Sequence, residues 1–281
     1  NSNVNFNLSG DLSERILNLD IKGNVIDLSK NKVETKKKIE KTYYLKEENY
    51  SIMTDNVIFS GSVAVNDFKA TIDKKGSTLS VNSRASFNEH ELNYSREKSD
   101  DLDVNIVNSS DITYFLNKDH PARKLLSDGE LVMTSIRDLN TQEAKVKINL
   151  NDFVLINTPA SLKLLSLPSI SGLVSIAEGE EGIRFGYGEI KYIETDDKFS
   201  EIEAFAVSDS LGLIMDGNIE REKETLNMKG EISPMHLVNA IIQKLPILGP
   251  IIVGNEGEGM FSIDFTMTGS SDDPEVESNP L

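Results

Sequence analysis

Residues 261–268 read Phe261-Ser-Ile-Asp-Phe-Thr-Met-Thr268, in which apolar and polar side chains alternate without a break. Successive side chains of a β-strand point to opposite faces, so this octet predicts a strand with one apolar and one polar face. The same two-residue period recurs at 79–87, 143–150 and 225–232. Because this period dominates the chain and helical periods are few, we expect a mostly β fold.

Short segments rich in Asp, Glu, Lys and Gly separate the alternating stretches. They are Asp73-Lys-Lys-Gly76, Asp128-Gly129, Asp196-Asp-Lys198 and Glu220-Arg-Glu-Lys-Glu224. Connections of this length are typical of β-hairpins. We therefore predict a long antiparallel meander, curled into a taco-like groove or an elongated sandwich, with a few short helices.

Three segments have helical periodicity instead: residues 110–116, residues 159–167 and a segment that starts at Pro234. Ser233 fits an N-cap, and Pro234 fits the first helical position, where its missing N–H costs nothing. The apolar residues that follow have the spacing of one helix face and predict an end-cap helix over the sheet: Leu237, Val238, Ile241, Ile242 and Leu245. Residues 246–253 are apolar but shorter than the roughly 20 residues of a membrane span, so we interpret them as a buried or interface-seeking plug.

Composition argues against several classes of function. The formal net charge is −17, with 46 acidic and 29 basic residues, and binding to nucleic acid requires clustered cations instead. Cysteine is absent, which excludes disulfides and a thiol nucleophile. His90, His120 and His236 lie far apart in sequence, without the spacing of a metal site.

The glycine-rich segments also lack the features of a catalytic motif. Residues 179–188 and 254–259 are acidic and have no phosphate-loop lysine, so we interpret both as turns and bulges. The chain contains no Gly-x-Ser-x-Gly nucleophile elbow. We expect no enzyme activity, no catalytic residue, no metal and no cofactor.

Several segments toward the C-terminal end follow one another in a distinctive order. They are residues 158–173, Gly182-Ile-Arg-Phe185, residues 210–219, Leu245-Pro-Ile-Leu-Gly-Pro-Ile-Ile-Val-Gly254, residues 255–263 and residues 269–281. This order resembles the C-terminal region of the AsmA-like family, and within it the YhdP-type branch, from about Asp128 to Leu281. We therefore divide the chain into an N-terminal β-groove segment, 1–110, and an AsmA-like C-terminal region, 111–281.

The resemblance implies a bridge-like lipid transfer protein whose β-groove moves phospholipid between the inner and outer membranes. It implies phospholipid acyl chains as the cargo, contact with the inner membrane and with the outer membrane through a parent protein, and no nucleic acid. It also implies a periplasmic location and an N-terminal inner-membrane helix in that parent. Since residues 4–8 already alternate like a strand, we interpret the chain as a fragment of a longer protein.

An apolar groove would solve the energetic problem of moving lipid through water. Exposing both acyl chains costs on the order of 20 kcal/mol at about 0.8 kcal/mol per CH₂, and a continuous apolar floor removes that cost. The candidate groove residues form the apolar rows of the C-terminal strands: Leu211, Leu213, Met215, Ile219, Leu226, Met228, Ile232, Phe261, Ile263, Phe265 and Met267.

The alternative is a structural or assembly module of the cell envelope that influences outer-membrane biogenesis. The same residues would then be ordinary core, which is the commonest role of buried apolar side chains. The two hypotheses differ in whether lipid occupies the apolar face.

Overall fold

The computed structural model describes residues 6–27, 45–58, 64–112, 126–156, 178–179, 182–209, 211–234 and 263–280. These residues form 17 strands, and only Ile112 among them is helical. The prediction of a mostly β fold is therefore confirmed.

The strands have the following bounds: β1 Phe6–Ser13, β2 Ile16–Asp27, β3 Glu47–Ile58, β4 Ala64–Lys75, β5 Thr78–Phe87, β6 His90–Lys98, β7 Leu102–Ser109, β8 Leu126–Ser127, β9 Glu130–Asp138, β10 Ala144–Ile156, β11 Glu178–Gly179, β12 Gly182–Glu194, β13 Lys198–Val207, β14 Leu211–Glu220, β15 Thr225–Pro234, β16 Ile263–Ser270 and β17 Glu275–Pro280. They belong to two compact units. The first unit is Asn1–Lys118 with Thr134–Thr141, and the second is Asp119–Met133 with Gln142–Leu281.

In the first unit, β1 pairs antiparallel with β2, and β3 to β7 form an antiparallel meander. The predicted turn at 73–76 is confirmed as the β4–β5 hairpin, where Gly76 has a φ of +59°. Strands β2 and β3 pair parallel, with Ile16 opposite Glu47. Our expectation that successive strands pair antiparallel is wrong at this step, because a parallel pair is joined by a long crossover rather than a hairpin.

The second unit contains the longest meander. Strand β10 pairs with β12, and each strand from β12 to β17 pairs antiparallel with the next. The predicted turns at 196–198 and 220–224 are confirmed as hairpin connections. The turn predicted at Asp128 and Gly129 is not a hairpin between neighbours, because β8 and β9 on either side of it both pair with β10. Both residues have positive φ. They interrupt the strand that runs along β10 and do not reverse the direction of the chain.

Two sequence interpretations fail because a strand continues where we predicted its end. Ser233 and Pro234 lie in β15, opposite Gly212 and Leu211, so they are not the N-cap and first turn of a helix. Gly186 and Gly188 lie inside β12, so the interpretation of residues 179–188 as turns and bulges fails there, whereas Gly182 begins β12 and pairs with Gly179 of β11 across their short connection. Cross-strand pairing with β10 and β14 holds these residues extended and overrides the local turn signals.

The remaining helix predictions fall mostly outside the described residues. Of the segment 110–116, Ser110 and Asp111 are not helical and residues 113–116 are not described. The segment 159–167, the plug at 246–253 and the end-cap residues Leu237, Val238, Ile241, Ile242 and Leu245 are also outside the described part of the chain. No helix among the described residues is long and apolar enough to cross a membrane.

Candidate functional site

Strand register brings the candidate groove residues together on one face of the second unit. Leu213 lies opposite Ile232, which in turn lies opposite Ile263. The next rows across β14, β15 and β16 are Met215–Gly230–Phe265, Gly217–Met228–Met267 and Ile219–Leu226–Gly269. The residues that we selected from sequence alternation are therefore contiguous in space, apart from Phe261, which is outside the described residues.

Most of these side chains are buried. Leu211 and Phe265 are each 2% exposed, and the exposed fraction stays at or below 9% for Leu213, Met228, Ile232 and Ile263. Met215, Ile219, Leu226 and Met267 are partly buried. This apolar face is thus a packed interior surface, which is the arrangement expected of a core.

The apolar face extends further across the unit than sequence reasoning suggested. Leu213 continues through Ala206 and Gly188 to Leu150, while Met215 continues through Ala204 and Ile190 to Ile148. On the other side, Ile263 and Phe265 lie opposite Pro280 and Ser278 of β17. The alternation at 143–150 marked the apolar residues of β10. No local signal shows that Gly188 of β12 and Ala204 and Ala206 of β13 lie between β10 and β14.

Two phenylalanine rings cover glycines on this face. A Cβ built on Gly230 would lie 2.4 Å from Cζ of Phe265 and 2.4 Å from the carbonyl oxygen of Ile214. A Cβ on Gly188 would lie 2.9 Å from Cε1 of Phe153, a ring that also stacks on Phe185 at a centroid distance of 5.5 Å. The missing side chains therefore leave room that aromatic rings fill, a pairing also used to stabilise glycines in designed sheets.

The opposite face of the second unit carries paired charges. Glu189 is 6% exposed, and its two carboxylate oxygens each lie 2.8 Å from a lysine Nζ, those of Lys147 and Lys191. Burial by itself would raise the pKa of Glu189, but the hydrogen bonds from both lysines outweigh it and lower the pKa. The carboxylate therefore stays ionised and neutralised by the lysines, which suits a structural ion-pair cluster rather than a general base.

Glu203 has a different environment on the same face. Its Oε2 atom is buried and has no hydrogen-bond partner among the described residues. Burial raises the pKa of this carboxyl, with the charge of Lys191 opposing the shift and that of Asp216 adding to it. Lys191 and Asp216 both lie opposite Glu203 in strand register, so this carboxyl belongs to a charged row that crosses the face.

The histidines do not assemble into a site in the described structure. His90 begins β6, with its Nε2 atom 3.8 Å from Oδ2 of Asp111. His120 and His236 lie outside the described residues. Within the described ranges, no group of three His, Cys, Asp or Glu side chains is arranged to hold a metal ion.

Comparisons with protein-family models, with curated proteins and with solved structures found no match to this chain. The resemblance to the AsmA-like family stays a prediction.

Proposed function

We propose that this chain is a non-enzymatic lipid-carrying module that accepts phospholipid acyl chains on the apolar face of its second unit. The supporting observation is the continuity of that face in strand register. The rows Leu150–Gly188–Ala206–Leu213–Ile232–Ile263–Pro280 and Ile148–Ile190–Ala204–Met215–Gly230–Phe265–Ser278 contain no charged residue.

These rows are long enough to contact an acyl chain along its length. They cross seven strands, and a strand spacing of about 4.8 Å gives a span of about 29 Å. One leaflet of a bilayer has a hydrocarbon thickness of about 15 Å, half of the roughly 30 Å core. An acyl chain lying across the strands would therefore remain on apolar side chains from end to end.

The chemistry of this face suits movement of a lipid better than fixed recognition. Ile, Leu, Met and Phe side chains offer many weak contacts of similar strength, and the one polar side chain of the two rows, Ser278, lies at the end of its row. Because Phe265 is 2% exposed, acyl chains would reach the rows only after side chains such as this one move.

The decisive experiment is mass spectrometry of lipids extracted from the protein purified without detergent. We expect phospholipid to copurify with the native chain in a fixed molar ratio. Phe265→Asp should remove that lipid, whereas Thr266→Asp should retain it, because neighbouring residues of a strand face opposite ways and Thr266 is exposed. Absence of lipid from the native chain after incubation with phospholipid vesicles would refute the proposal.

A second candidate function is a structural or assembly module of the cell envelope. The burial of Leu211, Ile232 and Phe265 favours it, since these side chains already make the contacts of a closed core. In that case the native chain would carry no lipid. Phe265→Asp would then act through unfolding alone, which hydrogen exchange in β15 and β16 of each variant measures.

A further inference from the structure

The polar face of the first unit contains a shallow depression of about 560 Å³. Strands β3 to β7 form it, and two rows of side chains in register point into it: Met53, Lys69, Arg84, Asn93 and Asn108 in one row, and Ser51, Thr71, Asn82, Ser95 and Ile106 in the next. Pairing across five strands therefore brings together amide, hydroxyl and cationic side chains from a 58-residue stretch of the chain, residues 51–108.

The charge of this depression is opposite to that of the whole chain. Of the residues that the structure describes, Lys69 and Arg84 are the only charged ones that line it, and no carboxylate among them does. The chain as a whole carries 46 acidic and 29 basic residues. A depression of about 700 Å³ on the polar face of the second unit shows the contrast, because its lining includes one lysine and four acidic residues: Asp216, Glu231, Asp264 and Glu277.

Lys69 and Arg84 lie directly opposite each other on β4 and β5. Directly opposed residues of antiparallel strands have Cβ atoms about 4.5–5.5 Å apart, and two like charges in this position repel. Neither side chain makes an ion pair or a side-chain hydrogen bond in the described structure. The nearby carboxylates Asp55 and Asp67 lie at the adjoining end of β3 and β4 and pair with neither cation.

We propose that this depression binds a phosphate group, with Lys69 and Arg84 as the anchoring cations. A dianionic or monoanionic phosphate between them would replace repulsion by attraction. The arginine fork can donate two parallel hydrogen bonds to phosphate oxygens, and lysine adds a point charge. The side-chain amides of Asn82 and Asn93 supply further hydrogen-bond donors at the rim. Asn82 lies opposite Thr71, and Asn93 lies opposite Arg84, in the two rows that point into the depression.

Each end of the same depression has one large apolar side chain beside a polar one. Met53 is 43% exposed at one side, and Ile106 lies at the other. Apolar groups beside a phosphate site fit a ligand that has an apolar part, such as a glycerophospholipid, although free phosphate offers the same anionic chemistry. The site stands on the charges of the first unit and does not depend on the lipid-carrying face of the second.

Isothermal titration calorimetry of the full 281-residue chain at low salt tests the site with three soluble probes: inorganic phosphate, dihexanoyl phosphatidylglycerol below its micellar concentration, and dihexanoylglycerol, which lacks phosphate. We expect both phosphate compounds to bind and dihexanoylglycerol not to bind. The double variant Lys69→Gln/Arg84→Gln should weaken that binding by at least about tenfold, since each charge-assisted hydrogen bond is strong. Raising the salt concentration should weaken it as well.

Lys145→Gln is the matched control, because Lys145 is an exposed lysine of the second unit that makes no ion pair with the described residues. It should leave the affinity unchanged. Tighter binding of the phosphatidylglycerol than of phosphate assigns the site to a lipid headgroup, and equal binding assigns it to free phosphate. The proposal is overturned if no phosphate compound binds, if dihexanoylglycerol binds equally well, or if the control loses as much affinity as the double variant. Failure of lipid to copurify would count against the carrier function and leave this result untouched.

Discussion

Replacing Phe265 with alanine should destabilise the second unit by about 3–5 kcal/mol. The ring is 2% exposed and lies over Gly230, so nearly all of its surface is removed from water. Burying about 200 Å² of aromatic surface at about 25 cal/mol per Å² contributes about 5 kcal/mol, and truncation of buried Phe to Ala typically costs about 3–5 kcal/mol. Glycine cannot extend a side chain into the cavity, so little compensation is available at that position.

Hydrogen exchange is the appropriate assay, because a global melt mixes both units. Amides of β15 and β16 should lose protection in Phe265→Ala, while those of β4 and β5 should keep it. Thr266→Ala is the matched control: its side chain is exposed on the other face, so it should change stability by less than about 0.5 kcal/mol. Equal effects of the two substitutions, or a loss of less than about 1 kcal/mol in Phe265→Ala, would refute the assignment of faces.

Three other outcomes follow from particular contacts. Gly230→Ala should destabilise the same strands, because the added Cβ meets the Phe265 ring and a backbone carbonyl at 2.4 Å; unchanged exchange protection in β14 and β15 would contradict this. The hydrogen bond from Arg96 lowers the pKa of Asp103, so the pair's stabilisation is present above about pH 3.8 and is lost as pH falls through the folded value. Acid denaturation curves of Asp103→Asn should lack that loss. Burial raises the pKa of Tyr192 to about 12, so the free energy of unfolding should decrease as pH rises from 10 to 12, where the unfolded state ionises first. A tyrosinate absorbance titration of Tyr192→Phe should lack the step with the highest pKa.

The direction of each strand side chain could be predicted from the sequence because it is a local property. Neighbouring residues such as Phe265 and Thr266 must point to opposite faces whatever the strand pairs with. The structure accordingly buries Ile263 and Phe265 and exposes Asp264 and Thr266. Hairpin turns at 73–76, 196–198 and 220–224 were predictable for the same reason, since the residues that make a short turn are adjacent in the chain.

Local signals misled where long-range pairing was stronger. Ser233 and Pro234 have the pattern of a helix start, yet β14 pairs with them and extends the strand. Asp128 and Gly129 have the pattern of a hairpin, yet the strands beside them share β10 as a partner. In both places the backbone hydrogen bonds of a neighbouring strand decide the conformation, and that neighbour is not encoded in the local window.

Sequence alone determined that this chain is a mostly β protein and which side chains share a face, since both follow from a two-residue period. The tertiary structure decided which residues of different strands lie opposite one another. It placed Lys69 against Arg84 in an acidic chain, joined the candidate rows of β14 to β16 with small residues of β12 and β13, and paired β2 with β3 in parallel. Register and strand order depend on contacts between residues far apart in the chain, and no local pattern of side chains specifies them.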